Sequence, residues 1–129
     1  MRVLLDTQIF LWWDRQLERV PPSVRSTIED GANEIFVSVA SIWEIAIKRA
    51  SGKLHFAAPI AETAERLGFE LLPITAIHAE HAGGLPRYHG DPFDRLLVAQ
   101  AHLEGLILGT TDRMLSSYGV ATLGLNFRG

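Results

Sequence analysis

The strongest constraint on the fold is the alternation of very short apolar runs with helix-length segments. Val3-Leu4-Leu5, Ile35-Phe36-Val37, Glu70-Leu71-Leu72, Leu106-Ile107-Leu108 and, more weakly, Ala121-Thr122-Leu123 are the runs. Most lack the polar alternation of a half-exposed strand, so they read as strands covered on both faces, as in parallel sheets. Helices are expected between them, over 8–13, 23–30, 38–50, 59–67 and 92–104, with one more capped by Thr75 and running to about residue 82. Pro21-Pro22, Gly31, Gly52, Gly68, Gly83-Gly84 and Gly105 punctuate these segments, and Asp91-Pro92 supplies an N-cap followed by a first-turn proline. The alternation predicts an α/β fold with a central, mostly parallel sheet of about five short strands flanked by helices. A chain of 129 residues is sized for a single domain over 1–129.

Composition narrows the function. The chain has no cysteine, which removes disulfide scaffolds, thiolate zinc sites and thiol nucleophiles, and suits a reducing cytoplasm. Its net charge of −3 argues against a simple nucleic-acid-binding module, because phosphate neutralisation drives such binding. A nucleic acid would have to meet a local basic rim or a metal. No apolar run approaches a membrane span, and Asp6 comes too early for a secretory signal, so a cytoplasmic chain without a membrane helix is expected. There is no Gly-Lys-Ser/Thr phosphate loop. His78-Ala79-Glu80 lacks the Pro-Cys-x-x-Cys partner of zinc deaminases, and His78 with His81 has no evident third ligand. Gln8 stands where a haloacid-dehalogenase-like site needs a second Asp, and no lysine follows Lys53, as a phosphoacceptor receiver would require.

The acids carry the chemical signal. Asp6 directly follows the first strand, and Glu44 lies early in the helix after the second. Asp94 opens the helix before the fourth strand, and Asp112 follows that strand across Gly109-Thr110-Thr111. In a parallel sheet all would gather beyond the carboxyl edge, where such sheets carry their sites. Each also has a local explanation. Asp6, Asp94 and Asp112 suit helix starts, while Ser41-x-x-Glu44 has the pattern of a capping box, with Lys48 as an i+4 partner. Gathered together they would repel, raising one or more pKa values unless a hard divalent ion such as Mg2+ or Mn2+ bound them.

Several segments resemble a known family. Val3-Leu4-Leu5-Asp6-Thr7 is similar to the opening strand and first acid of the PIN domain. Ser41 to Lys48 resembles the second-acid helix of VapC-type toxins, and Thr110-Thr111-Asp112 the closing acid motif. His89-Gly90-Asp91-Pro92-Phe93-Asp94-Arg95-Leu96-Leu97 is the most specific match, to the third-acid segment of one toxin subgroup. The resemblance implies a PIN-like doubly wound fold and a Mg2+- or Mn2+-dependent endoribonuclease, the toxin of a toxin–antitoxin pair. It implies catalytic and metal-binding roles for Asp6, Glu44, Asp94 and Asp112. Asp6, Asp94 and Asp112 would hold the ion, and Glu44 would complete the pocket and orient the attacking water, leaving 5′-phosphate and 3′-hydroxyl ends. Asp91 matches an additional acid, a helix cap or a support. Thr7, Ser41 and Thr111 match positions where hydroxyls steady the acids. Arg95 is a candidate for steering phosphate, with Arg113 a weaker one, and Tyr88 for stacking on a base. The family implies a homodimer and a VapB-type antitoxin. The run Ile9-Phe10-Leu11-Trp12-Trp13, apolar all round a helix, either meets such a partner or is wedged between layers of its own domain. The competing expectation is a catalytically silent RNA- or protein-binding PIN-like module, which need not retain these acids. Asn126-Phe127-Arg128-Gly129 fits the family poorly and carries no functional expectation.

Overall fold

A computed structural model of the chain describes residues 1–125; Asn126 to Gly129 lie outside the described residues. Five strands, β1 (Arg2–Leu5), β2 (Glu34–Ser38), β3 (Glu70–Leu72), β4 (Ile107–Gly109) and β5 (Thr122–Leu123), form one sheet in the order β3-β2-β1-β4-β5. Every pairing is parallel, so the sheet is wholly rather than mostly parallel. Parallel neighbours need long crossovers, and the helices supply most of them. These are α1 (Thr7–Arg15) and α2 (Pro22–Glu29), then α3 (Val39–Ala50) and α4 (Ile60–Arg66), then α5 (Ala76–Gly83) and α6 (Pro92–Glu104). A 3₁₀ segment, Arg113–Tyr118, leads from β4 to β5, and another spans Leu17–Arg19. Among the described residues no helix is long and apolar enough to cross a membrane.

The unbroken apolar strands follow from two cores. Side chains alternate across a strand, so Val3, Leu5, Ile35 and Val37 face one core with Phe10, Val24, Ile45 and Ile60. Leu4, Phe36 and Leu108 face the other, with Leu97, Val98, Ala101 and Leu115. The register sets Leu5 beside both Val37 and Gly109, so the chain leaves β1, β2 and β4 at one edge. From β1 the order runs outward through β2 and β3 on one side and through β4 and β5 on the other. That reversal beside β1 is the topological switch point, where a crevice opens beyond the strand ends.

One expectation from the sequence needs correction, and one alternative left open there is decided. Ser41 and Glu44 do not form a capping box. Ser38 caps α3, its Oγ accepting from the Ala40 N–H at 2.9 Å, so Ser41 already lies inside the helix. The Ile9–Trp13 run is wedged within the domain. Ile9 and Phe10 are fully buried, and Leu11, Trp12 and Trp13 pack half-buried against the same core. Trp13 leans on Phe69, and the Arg19 guanidinium covers Trp12 at 4.7 Å. The apolar stripe left open is on α3 instead. Val39, Trp43 and Ile47 are four residues apart and all exposed, Trp43 by 58%, with the Phe93 ring against Trp43 at 5.3 Å.

Close packing also ties β5 to the loop after β4. Gly124 has a φ of +111°, and a Cβ there would lie 2.7 Å from the Thr110 carbonyl oxygen. Gly124→Ala should therefore lower stability by about 1–3 kcal/mol, seen as a reduced urea midpoint at unchanged slope. An unaltered midpoint would mean that the backbone at Thr110 yields freely.

Candidate active site

At the switch point Asp6, Glu44, Asp91, Asp94 and Asp112 line one pocket of about 320 Å³, together with Thr7, Lys48 and Thr111. Three of these acids also cap helical segments. Asp6 Oδ1 caps α1 by accepting from the Ile9 N–H at 2.8 Å. Asp112 Oδ1 accepts from the Met114 N–H at 3.0 Å and caps the 3₁₀ segment, while Oδ2 has a different neighbour. Asp91 Oδ1 takes the N–H groups of both Phe93 and Asp94, at 2.8 and 3.1 Å, so Asp91 caps α6 and still lines the pocket. The backbone aims each carboxylate by using a single oxygen.

Glu44 is held differently. Thr7 Oγ1 lies 2.7 Å from Glu44 Oε1 and 2.8 Å from Ser41 Oγ. A hydroxyl has one proton to give, so Thr7 donates to the carboxylate and Ser41 donates to Thr7. The other carboxylate oxygen, Oε2, accepts from Lys48 Nζ at 2.8 Å. That hydrogen bond pushes the Lys48 ammonium pKa up, with the negative charges of Glu44, Asp91 and Asp94 adding to it. Among the described residues, Lys48 is the single lysine or arginine lining the pocket.

The remaining charge is poorly compensated. Burial raises the Asp6 pKa from 3.8 to about 6. The Thr110 hydroxyl and the Ile9 N–H pull it back only in part, while Asp112 and Glu44 push it further up. Burial, followed by the neighbouring Asp91 and Asp6, raises Asp94 from 3.8 to about 7, against the opposing influence of His89. These are hard oxygen donors crowded into one pocket with more negative charge than Lys48 can balance. That donor set fits a hard divalent cation.

Some residues differ from their sequence-based expectations. Arg95 is not brought into the pocket; its guanidinium donates to the carbonyls of Ala82, Leu85 and Pro86, at 3.0, 2.9 and 3.1 Å, and clamps the loop before α6. Arg113 is exposed. Thr111 lines the pocket, but the hydroxyl engaged with the acids is that of Thr110, fully buried next to it. Thr110 Oγ1 accepts from the Asp112 N–H at 3.0 Å and gives its proton towards Asp6. His89 carried no role in the sequence beyond its loop, yet its Nε2 lies 3.0 Å from Asp112 Oδ2 and 3.3 Å from Asp94 Oδ2. One ligand-type atom from each of these three residues lies within 4.8 Å of the others. The adjacency of His89 to the acid-rich Asp91–Asp94 segment was the available signal. Tyr88 is about half exposed, against the Tyr118 ring. His78 serves packing, since its ring completes the α5 capping box with Thr75 and pairs with Glu104 at 2.8 Å.

A doubly wound parallel sheet with a carboxylate pocket at its switch point defines an α/β protein with an acidic site of hard oxygen donors. The sequence matches the PIN domain over residues 3–121. It is 33% identical over 119 residues to the Mycobacterium tuberculosis (strain ATCC 25618 / H37Rv) protein named Ribonuclease VapC22, covering 90% of this chain and 91% of that protein. Among solved structures, the chain aligns with VapBC2 from Rickettsia felis bound to a DNA fragment from their promoter, at a TM-score of 0.68 and 17% identity, over 95% of this chain and 98% of that one. It aligns with DNA-bound VapBC from Salmonella typhimurium at 0.66 and 17%, over 95% and 97%. The chain belongs to the PIN domain family.

The charge crowding has a measurable consequence. An acid raised by folding binds its proton more tightly in the folded chain than in the unfolded one. The penalty for ionising Asp6 is thus absent below pH 3.8, grows as pH rises, and is complete above about 6. Asp6→Asn keeps an N-cap acceptor and removes the charge. At pH 8 in EDTA the variant should exceed the parent in stability by about 1–3 kcal/mol, and at pH 4 most of the gain should vanish. Urea unfolding at the two pH values checks this; an Asn variant weaker than the parent at pH 8 would show a carboxylate better paired than its surroundings indicate.

Proposed function

We propose that this chain, as a single domain over 1–129, is a Mg2+- or Mn2+-dependent endoribonuclease and the toxin half of a toxin–antitoxin pair. The observation that carries the reading is the convergence of Asp6, Glu44, Asp94 and Asp112 on one pocket at the switch point of a PIN fold. The likeness to a protein named as a ribonuclease supports RNA as the substrate. Asp6, Asp94 and Asp112 would hold the ion through the oxygens not spent on helix caps. When bound, such an ion supplies positive charge against the reacting phosphate and a water of lowered pKa.

The other residues position this set. Glu44 has both oxygens bonded, to Thr7 and Lys48, so it is a fixed wall that orients water rather than a free base. Thr7 and Ser41 hold that wall, Thr110 couples Asp6 to Asp112, and Thr111 closes the rim. Asp91 caps α6 and aims Asp94. Lys48 adds positive charge at the pocket, suited to the phosphate backbone of an RNA strand. The structural likeness to the VapBC proteins of Rickettsia felis and Salmonella typhimurium supports a VapB-type antitoxin as partner. The open Val39–Trp43–Ile47 stripe supports a surface covered by a second chain, a homodimer partner included. An RNA substrate and a cysteine-free chain support action in the cytoplasm.

Purified protein free of antitoxin should cut RNA with Mg2+ or Mn2+ and not with EDTA. Asp6→Asn and Asp94→Asn should each lose about 100-fold or more, the scale of removing a main source of charge stabilisation. Attack by water leaves 5′-phosphate and 3′-hydroxyl ends, whereas a 2′,3′-cyclic phosphate would overturn it. Independently of turnover, ion at one hundred times its dissociation constant should stabilise the parent by about 2.7 kcal/mol, seen as a higher melting temperature, and should not do so for Asp94→Asn. No rise in the parent at millimolar ion would count against a clustered site.

A further inference from the structure

We propose that His89 is a latch on the cation site, its ring and the divalent ion competing for the same carboxylate oxygens. The inference rests on the cation-site reading above and goes further in assigning His89 a role opposed to that of a ligand. The imidazole has two nitrogens, and both are engaged. Nδ1 accepts the Asp91 backbone N–H at 3.1 Å, so Nδ1 presents a lone pair and the ring proton sits on Nε2. Nε2 is then a donor, 3.0 Å from Asp112 Oδ2 and 3.3 Å from Asp94 Oδ2. A ligating nitrogen must present a lone pair to the metal. To do so, Nε2 would have to pass its proton to Nδ1, which faces an N–H that can only donate. The ring therefore bridges the two acids with positive hydrogen, where a cation at the same oxygens would be repelled.

The ring is also held in place from outside the pocket. The His89 backbone N–H donates to the Tyr118 hydroxyl at 2.9 Å, and the neighbouring Tyr88 ring packs on Tyr118 with centroids 5.2 Å apart. At the other end of the loop, Arg95 binds the carbonyls of Ala82, Leu85 and Pro86. The loop is thus anchored at both ends, with His89 at the acids. An ion entering the pocket must displace the ring from Asp94 and Asp112, so its apparent affinity is the intrinsic affinity multiplied by the fraction of molecules in which the ring is already displaced. Segments near the site that favour the displaced ring would raise activity by this route without touching the ion.

Titration calorimetry with Mn2+ on the full chain separates a latch from a ligand. His89→Ala should bind Mn2+ about tenfold more tightly than the parent, since it removes hydrogen bonds to charged groups that the ion must break. Tyr118→Phe deletes only the hydroxyl that holds the loop, and should shift affinity in the same direction by less, which keeps the test open if His89→Ala folds poorly. Equal or weaker binding by both variants overturns the latch, and a large loss in His89→Ala makes His89 a ligand. Absence of Mn2+ binding by the parent and both variants alike would remove the cation-site reading itself and the latch with it. Asp94→Asn, expected to lose binding, identifies the site being titrated.

Discussion

The site depends on β1 being the central strand, paired in parallel with β2 on one side and β4 on the other. The pairing is enforced by burial on both faces, because Val3, Leu4 and Leu5 are entirely removed from solvent and have no solvated face to present. A slip by one residue would exchange the two cores, sending Leu4 to the layer now filled by Val3 and Leu5. The register is therefore strongly specified, and with it the position of Asp6 relative to Thr110 and Asp112. The acids are brought together by hydrophobic burial far larger than their mutual repulsion, which is how a charge cluster unfavourable in itself persists in a folded domain.

Helix capping reconciles that repulsion with an ordered site. Asp6, Asp91 and Asp112 each direct one oxygen at backbone N–H groups at the start of a helical segment. Those hydrogen bonds orient the carboxylates and add favourable local charge, because a helix start carries partial positive charge. They leave each acid a second oxygen outside the cap, which at Asp112 lies against the His89 ring. Glu44 lies inside α3 rather than at its start, and takes its orientation from Thr7, Ser41 and Lys48 instead. The pKa values of Asp6 and Asp94, raised to about 6 and about 7, reflect how incompletely these devices offset burial, and the crowded oxygen donors suit a hard divalent cation.

Much of this was legible in the chain because it is local. The β3 run over 70–72, the Asp91-Pro92 start of α6, the Thr75 cap and the Glu44–Lys48 pair each depend on residues within a few positions of one another. The grouping of four acids at one edge also followed, since it needs only the strand ends and parallel pairing. The one misreading and the one alternative left open have a common origin. Ser41 and Glu44 match a capping pattern, but Ser38 lies a turn earlier and caps the helix first. The Trp12-Trp13 run is as apolar as a partner-binding face, and nothing in its pattern reveals that Phe69 and Arg19 cover it.

The sequence by itself determined the parallel α/β class, the order of its elements, the caps, and which acids stand at strand and helix ends, because near neighbours along the chain set these through backbone geometry and burial pattern. Only the tertiary structure decided which helix leaves an apolar stripe open, that Thr110 rather than Thr111 links Asp6 to Asp112, that Arg95 turns to a loop, and that His89 lies on Asp94 and Asp112. His89 and Asp112 are separated by 23 positions, and Thr7 and Glu44 by 37. Such contacts exist only once packing has placed the elements, and no local preference of either partner encodes them.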